Sequence, residues 1–164
     1  SNDLAYGLKV PLSRAEKLKL EHGSALAAEA AKGQTVAITN ELGLTLKTVN
    51  VEHLQQIMSL RLEEMFQLIA QDLEQAGLFD YLRAGVFLCG GGARVPQIAR
   101  LAEQMLQMPV SIGQTNSISG LKSALDQPEF VTAIGLAKFG SFKNRKREGK
   151  SGFKSILGKL LQRT

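Results

Sequence analysis

The sequence predicts an α/β fold, one globular body with a basic appendage. Two short apolar runs, Val86 to Cys89 and Pro109 to Ile112, flank three glycines and a helix-periodic stretch, giving the order strand, turn, helix, strand. A longer stretch repeats apolar residues at spacings of three and four from Leu54 to Leu73. At 164 residues, 44% of them apolar, the chain can bury one domain core and is too short for two large domains.

The elements follow in order. Asn2 to Leu8 reads as the end of a helix, and this abrupt start predicts that the chain is a fragment or the product of a truncated gene. A second helix is expected from Ser13, where Ser13-Arg14-Ala15-Glu16 has the capping-box pattern, to His22, with Gly23 as its stop. The β-branched runs Thr35 to Thr39 and Thr45 to Val49 flank Asn40-Glu41-Leu42-Gly43 and predict a hairpin. Leu54, Ile57, Met58, Leu62, Met65, Phe66, Ile69 and Leu73 form the stripe of the longest helix, between the cap Asn50 and the stop Gly77. Val86 to Cys89 is expected as a buried strand, followed by a helix from about Pro96 to Gln107 and a strand from Pro109 to Ile112. A last body helix runs from Pro128, with its proline in the first turn, to Phe139.

Charge is unevenly spread. From Lys143 to Arg163 there are eight cations against the single anion Glu148, so the tail carries +7 of a net +5 and the preceding residues −2. Cys89 is the only cysteine, which excludes a disulfide framework and a cysteine-based zinc site and predicts a reducing compartment. No stretch approaches the roughly 18 apolar residues of a membrane span, and no signal-peptide pattern opens the chain. These features predict a cytoplasmic protein.

Gly90-Gly91-Gly92-Ala93-Arg94, between strand and helix, is a place where bare backbone can approach a flat ring and Arg94 can lay its guanidinium over a purine. It lacks the Gly-Lys-Ser/Thr of a phosphate loop and the spacing of a dinucleotide fingerprint, and a simple strand-to-helix turn is the plain alternative. Glu16 and Lys19, three apart, emerge from one helix face and could grip two vicinal hydroxyls, or serve as cap and surface charge. No paired carboxylates or nucleophile constellation occurs, so no catalytic residue and no metal ligand is predicted.

In sequence, Asn2-Asp3-Leu4-Ala5, Ala15-Glu16-Lys17-Leu18-Lys19 with Gly23, a long helix containing Arg61, Val86 to Ala93, Ile112-Gly113 and Ala133-Ile134-Gly135-Leu136-Ala137 resemble the C-terminal half of the FtsA family, actin-like bacterial cell-division proteins. The resemblance refines the fold class to a partial actin-like (ribonuclease H-like) ATPase fold, its C-terminal lobe only. Residues 1–140 would form the lobe, about 12–61 its outer subdomain, 141–149 a basic linker and 150–164 an amphipathic membrane helix. It implies ATP with Mg²⁺ as ligand of the complete protein. Glu16 and Lys19 would bond the ribose, Gly91 and Gly92 back the purine, and Arg94 flank it. It also implies binding of the C-terminal peptide of FtsZ, the tubulin-like division protein, with Arg61 for a peptide carboxylate and Met58 for an apolar contact, and self-association into filaments. The first phosphate loop and the water-positioning residues belong to the family's other half, so hydrolysis is not expected of this stretch alone.

The tail carries its own signal. Phe153, Ile156, Leu157, Leu160 and Leu161 fall at i, i+3, i+4, i+7 and i+8, while Lys150, Lys154, Lys159 and Arg163 fill other faces. Such a helix suits the interface of an anionic membrane, and together with the resemblance it implies a peripheral localisation on the inner face of the cell membrane, at the division site. The alternatives are a helix docked on its own body and a nucleic-acid tail, in which the apolar stripe would have no purpose. For the whole chain they are an actin-like scaffold of type IV pilus assembly and an actin-fold ATPase or kinase fragment.

Overall fold

A computed structural model of the chain describes residues 1–39, 42, 44–82, 84–114 and 127–143. Two compact units, Ser1–Ile112 and Gly113–Thr164, divide the chain. All nine tail positions expected at the membrane lie outside the described residues, as do most of the hairpin turn and residues 144–149 of the expected linker.

The first unit opens with helices α1 (Asn2–Gly7) and α2 (Leu12–His22). Strands β1 (Thr35–Thr39) and β2 (Thr45–Asn50) pair antiparallel, with Val36 opposite Val49 and a register shift between Ile38 and Thr39. The alternation turns Val36 and Ile38 inward, against a core of Leu4, Leu8, Ala15, Leu18, Val49, Leu54 and Met58. Helix α3 (Val51–Gln75) starts where predicted, because the Asn50 side chain accepts the His53 amide at 3.1 Å. At its far end Gly77 takes the left-handed φ of 63° that closes a helix. Its N-terminal half packs in the core just described. Its C-terminal half contributes Phe66 to a second core with Ala25, Ile98, Leu101, Ala102, Leu106 and Val110. Met65 and Ile69, expected on the buried stripe, are exposed among the described residues, whereas Leu62, Phe66 and Ala70 of this half pack in the second core with α4.

Strands β3 (Val86–Leu88) and β4 (Val110–Ile112) pair in parallel around helix α4 (Ile98–Leu106), the strand-helix-strand unit that the apolar runs predict. Helix α4 is shorter at both ends than the expected Pro96 to Gln107, since Gln97 (φ 64°) and Gln107 (φ 52°) are left-handed and bracket it. Gly85 (φ 82°) lets β3 begin. A Cβ there would also run into the Pro109 carbonyl, which accepts the Val86 amide at 2.9 Å. The expectation of a buried strand needs correction: Val86 and Leu88 are half-buried against the second core, but Phe87 is 66% exposed. Strand alternation puts Phe87 on the face opposite α4.

In the second unit, a 3₁₀ turn at Pro128–Phe130 leads into helical residues 131–143. This helix runs past the expected end at Phe139, so Ser141, Phe142 and Lys143, assigned to the linker on composition, are helical. The described residues hold no helix long and apolar enough to cross a membrane.

Candidate functional site

Helix α2 presents Glu16 and Lys19 together. Lys19 Nζ lies 2.7 and 2.8 Å from the two Glu16 carboxylate oxygens, and the Ser1 hydroxyl also donates to that carboxylate. These bonds, that from Lys19 first, hold the Glu16 carboxyl below the ordinary carboxylate range. The capping-box reading of Ser13 and Glu16 is corrected: α2 starts at Leu12, behind Pro11, and no side chain caps it. Proline suits this edge because it has no amide hydrogen to satisfy. Glu16 is thereby left to pair across the helix face. Gly23, the predicted stop, is extended rather than left-handed. It is glycine for want of room, since a Cβ would strike the Lys19 carbonyl and lie 2.8 Å from the Met58 sulfur.

The glycine loop leaves β3 through Gly90, whose φ of 90° explains that glycine, and coils into a 3₁₀ turn, Gly91–Arg94. Ala93 is buried and anchors the turn through its amide to the Gly90 carbonyl at 3.1 Å. Gly91 and Gly92 differ from Gly90. Neither has a left-handed φ, and among the described residues no atom other than those of the glycine and its chain neighbours lies within 4 Å of where a Cβ would sit. Neither backbone conformation nor packing among the described residues therefore asks for glycine at these two positions. Arg94 is exposed beside them.

The loop and the α2 pair are neighbours. Val95, one residue beyond Arg94, lines with Lys19 a largely apolar cavity of about 140 Å³ floored by Leu4, Ile57 and Met58. Pro96 holds the end of α2 in place, its carbonyl accepting the Ala25 amide at 2.9 Å and the Ser24 hydroxyl at 3.4 Å.

Arg61 lies on the rim of that cavity and of an adjoining open cleft of about 660 Å³ that Glu16 also lines. Its guanidinium meets Glu64 at 2.6 Å and Asp3 at 3.7 Å, and these carboxylates, Glu64 foremost, raise its pKa. Met58 is only 8% exposed and packs in the first core. The structure thus gathers Glu16, Lys19, Met58 and Arg61 around one cleft system, with the ribose candidates and the peptide candidates side by side. Among the described residues no group of three or more His, Cys, Asp or Glu could hold a metal ion.

The family model for cell division protein FtsA matches residues 1–135. The chain belongs to the FtsA family. Among its FtsA relatives, the cell division protein of Pseudomonas aeruginosa is 30% identical over 140 residues, 85% of this chain and 34% of that protein. The FtsA of Escherichia coli K12 is 29% identical over 147 residues, 85% of this chain and 35% of its own. That of Bacillus subtilis is 29% identical over 155 residues, covering 94% and 34%. The chain spans about a third of the length of the FtsA proteins it matches.

Sequence reasoning missed three parts of this site. Asp3 stood in a quoted motif but was not recognised as a partner of Arg61, which lies far from it along the chain. Gly85 was passed over, although a glycine just before a strand signals a tight approach. Gln55 is not among the residues singled out from the sequence. Its position among Val51, Leu54 and Met58, on the apolar face, was the available signal.

Proposed function

We propose that this chain is the nucleoside-holding lobe of an actin-like cell-division adaptor that tethers FtsZ filaments to the cytoplasmic membrane. The observation that carries the nucleotide part is the pair Gly91 and Gly92, which nothing among the described residues requires to be glycine, set one short turn from the cavity wall that bears Lys19. A purine needs such clear backbone, and a ribose beside it needs the acceptor and donor that Glu16 and Lys19 supply. Arg94 then flanks the base. Bound ATP with Mg²⁺ supplies the transferable phosphoryl group. By the resemblance, the phosphates and the ion would fall to residues of the complete protein outside the third of the FtsA length matched here.

The peptide part rests on Arg61. A peptide carboxylate would exchange for Glu64 on an exposed guanidinium, a swap between like partners that costs little. Met58 supports that surface from beneath. The membrane part rests on the sequence of residues 150–164 and on the +7 charge around it.

An adaptor must join its two partners, and this is the test. A labelled FtsZ C-terminal peptide is mixed with vesicles containing a third anionic lipid and sedimented with and without the chain. The peptide should pellet only when both chain and anionic lipid are present. Peptide left in the supernatant while the chain itself pellets would remove the adaptor reading.

A further inference from the structure

Two polar side chains are buried among the described residues, Ser24 (5% exposed) and Gln55 (8%), and both serve the loop that follows α2. The Gln55 amide spans that loop. Its nitrogen donates to the His22 carbonyl and its oxygen accepts the Ala28 amide, each at 3.0 Å. Ser24 bonds the Pro96 carbonyl from the loop's other side, beside the Ala25 amide. The end of α2 is therefore clamped to α3 by one buried group and to the exit of the glycine loop by the other. A buried polar group whose nitrogen and oxygen atoms each have a partner fixes a geometry more narrowly than apolar packing does, because a shift leaves a donor or acceptor unpaired.

We propose that Gln55 is a positioning residue of the nucleoside site, setting the distance between the Glu16–Lys19 pair and the glycine loop. The inference rests on the nucleotide reading given above. Gln55 reaches Lys19 through the last turn of α2, where the Gly23 amide bonds the Lys19 carbonyl at 2.9 Å. Its hydrogen bonds go to His22 and Ala28, not to the residues assigned to the base or the ribose, so its effect is one of spacing.

Two measurements on the whole chain keep this inference separate from the reading beneath it. Cys89 is the only cysteine, is exposed, and adjoins the glycine loop, so a nitroxide placed there reports its distance to backbone amides. Gln55→Met, which keeps the length and loses both bonds, should change the relaxation enhancement at the Lys19 amide, because that enhancement varies as the inverse sixth power of distance and a shift of about 1 Å is the scale on which site geometry matters. The α4 amides should keep theirs. Ser24→Ala, which removes no core volume, should act in the same direction more weakly and decides the matter if Gln55→Met fails to fold. An unchanged Lys19 profile in a folded variant overturns the positioning role.

Adenosine and 2′-deoxyadenosine are then titrated separately. The parent should favour adenosine about tenfold, the worth of one charge-assisted hydrogen bond, and Gln55→Met should erase most of that preference. A general loss of stability would weaken both nucleosides alike. Should the parent bind neither, the nucleotide reading fails and takes the inference with it, even with the spacing change observed. A parent preference that survives in Gln55→Met overturns the inference alone.

Discussion

At the scale of single residues, identity and geometry part company most clearly at Glu16. Its type and spacing from Lys19 were legible because helical positions three apart share a face. Its partner was not, because a capping box and a side-chain pair can use the same glutamate, and the choice depends on where the helix begins. Pro11 starts α2 a residue early, and the carboxylate turns to Lys19 and Ser1. A carboxyl stabilised in this way has its folded-state pKa below the unfolded value. The stability it contributes is complete above about pH 4.3, the ordinary glutamate value, and fades as pH falls through the lower folded value. Solvent screening keeps the contribution small. Carbon-detected titration should place the Glu16 midpoint below that of other glutamates, and Lys19→Met should raise it. A parent midpoint at the ordinary value would show that the pair is not formed in solution.

At the scale of elements, α3 was read almost to the residue, since its caps are local chemistry: Asn50 at one end and Gly77 at the other. Which members of its stripe are buried could not be read locally. Burial depends on what packs against each turn, and Met65 and Ile69 are left exposed while Leu62, Phe66 and Ala70 pack with α4. The same division holds for β3, where a run of apolar residues announced a strand and could not say that only one face is covered. A contrast between two candidate caps follows. Asn50→Ala should destabilise the chain by about 1 kcal/mol in urea unfolding, the usual worth of an N-cap bond. Ser13→Ala should be neutral or stabilise the chain by a few tenths, because Ser13 caps nothing and lies inside α2, where alanine is the better helix former, by about 0.5 kcal/mol. Equal losses would mean that α2 begins at Ser13 in solution.

At the scale of the whole molecule, the adaptor reading sets a requirement on binding strength that the tail sequence meets only weakly. Fully burying a large apolar side chain contributes about 1.5–3 kcal/mol, and each cation at an anionic leaflet about 1 kcal/mol. Ordering some 12 residues costs roughly 1–2 kcal/mol each, which consumes most of that gain. A single tail should therefore hold reversibly, and linked copies should hold firmly, because each attachment after the first occurs at high effective concentration. Leu157 sits at the centre of the apolar stripe, flanked by Phe153 and Leu161 four residues away on either side. Leu157→Glu places a charge in the acyl boundary and another anion near the leaflet, so co-sedimentation with anionic vesicles should fall at least about tenfold. Salt should weaken the parent, since its cations act through a screened field, whereas neutral vesicles should bind it poorly at any salt. Unchanged sedimentation of Leu157→Glu would show that the stripe does not enter the membrane. If that binding also fell with salt, the tail would be acting as a polybasic segment, and the spacing of its apolar residues would need another purpose.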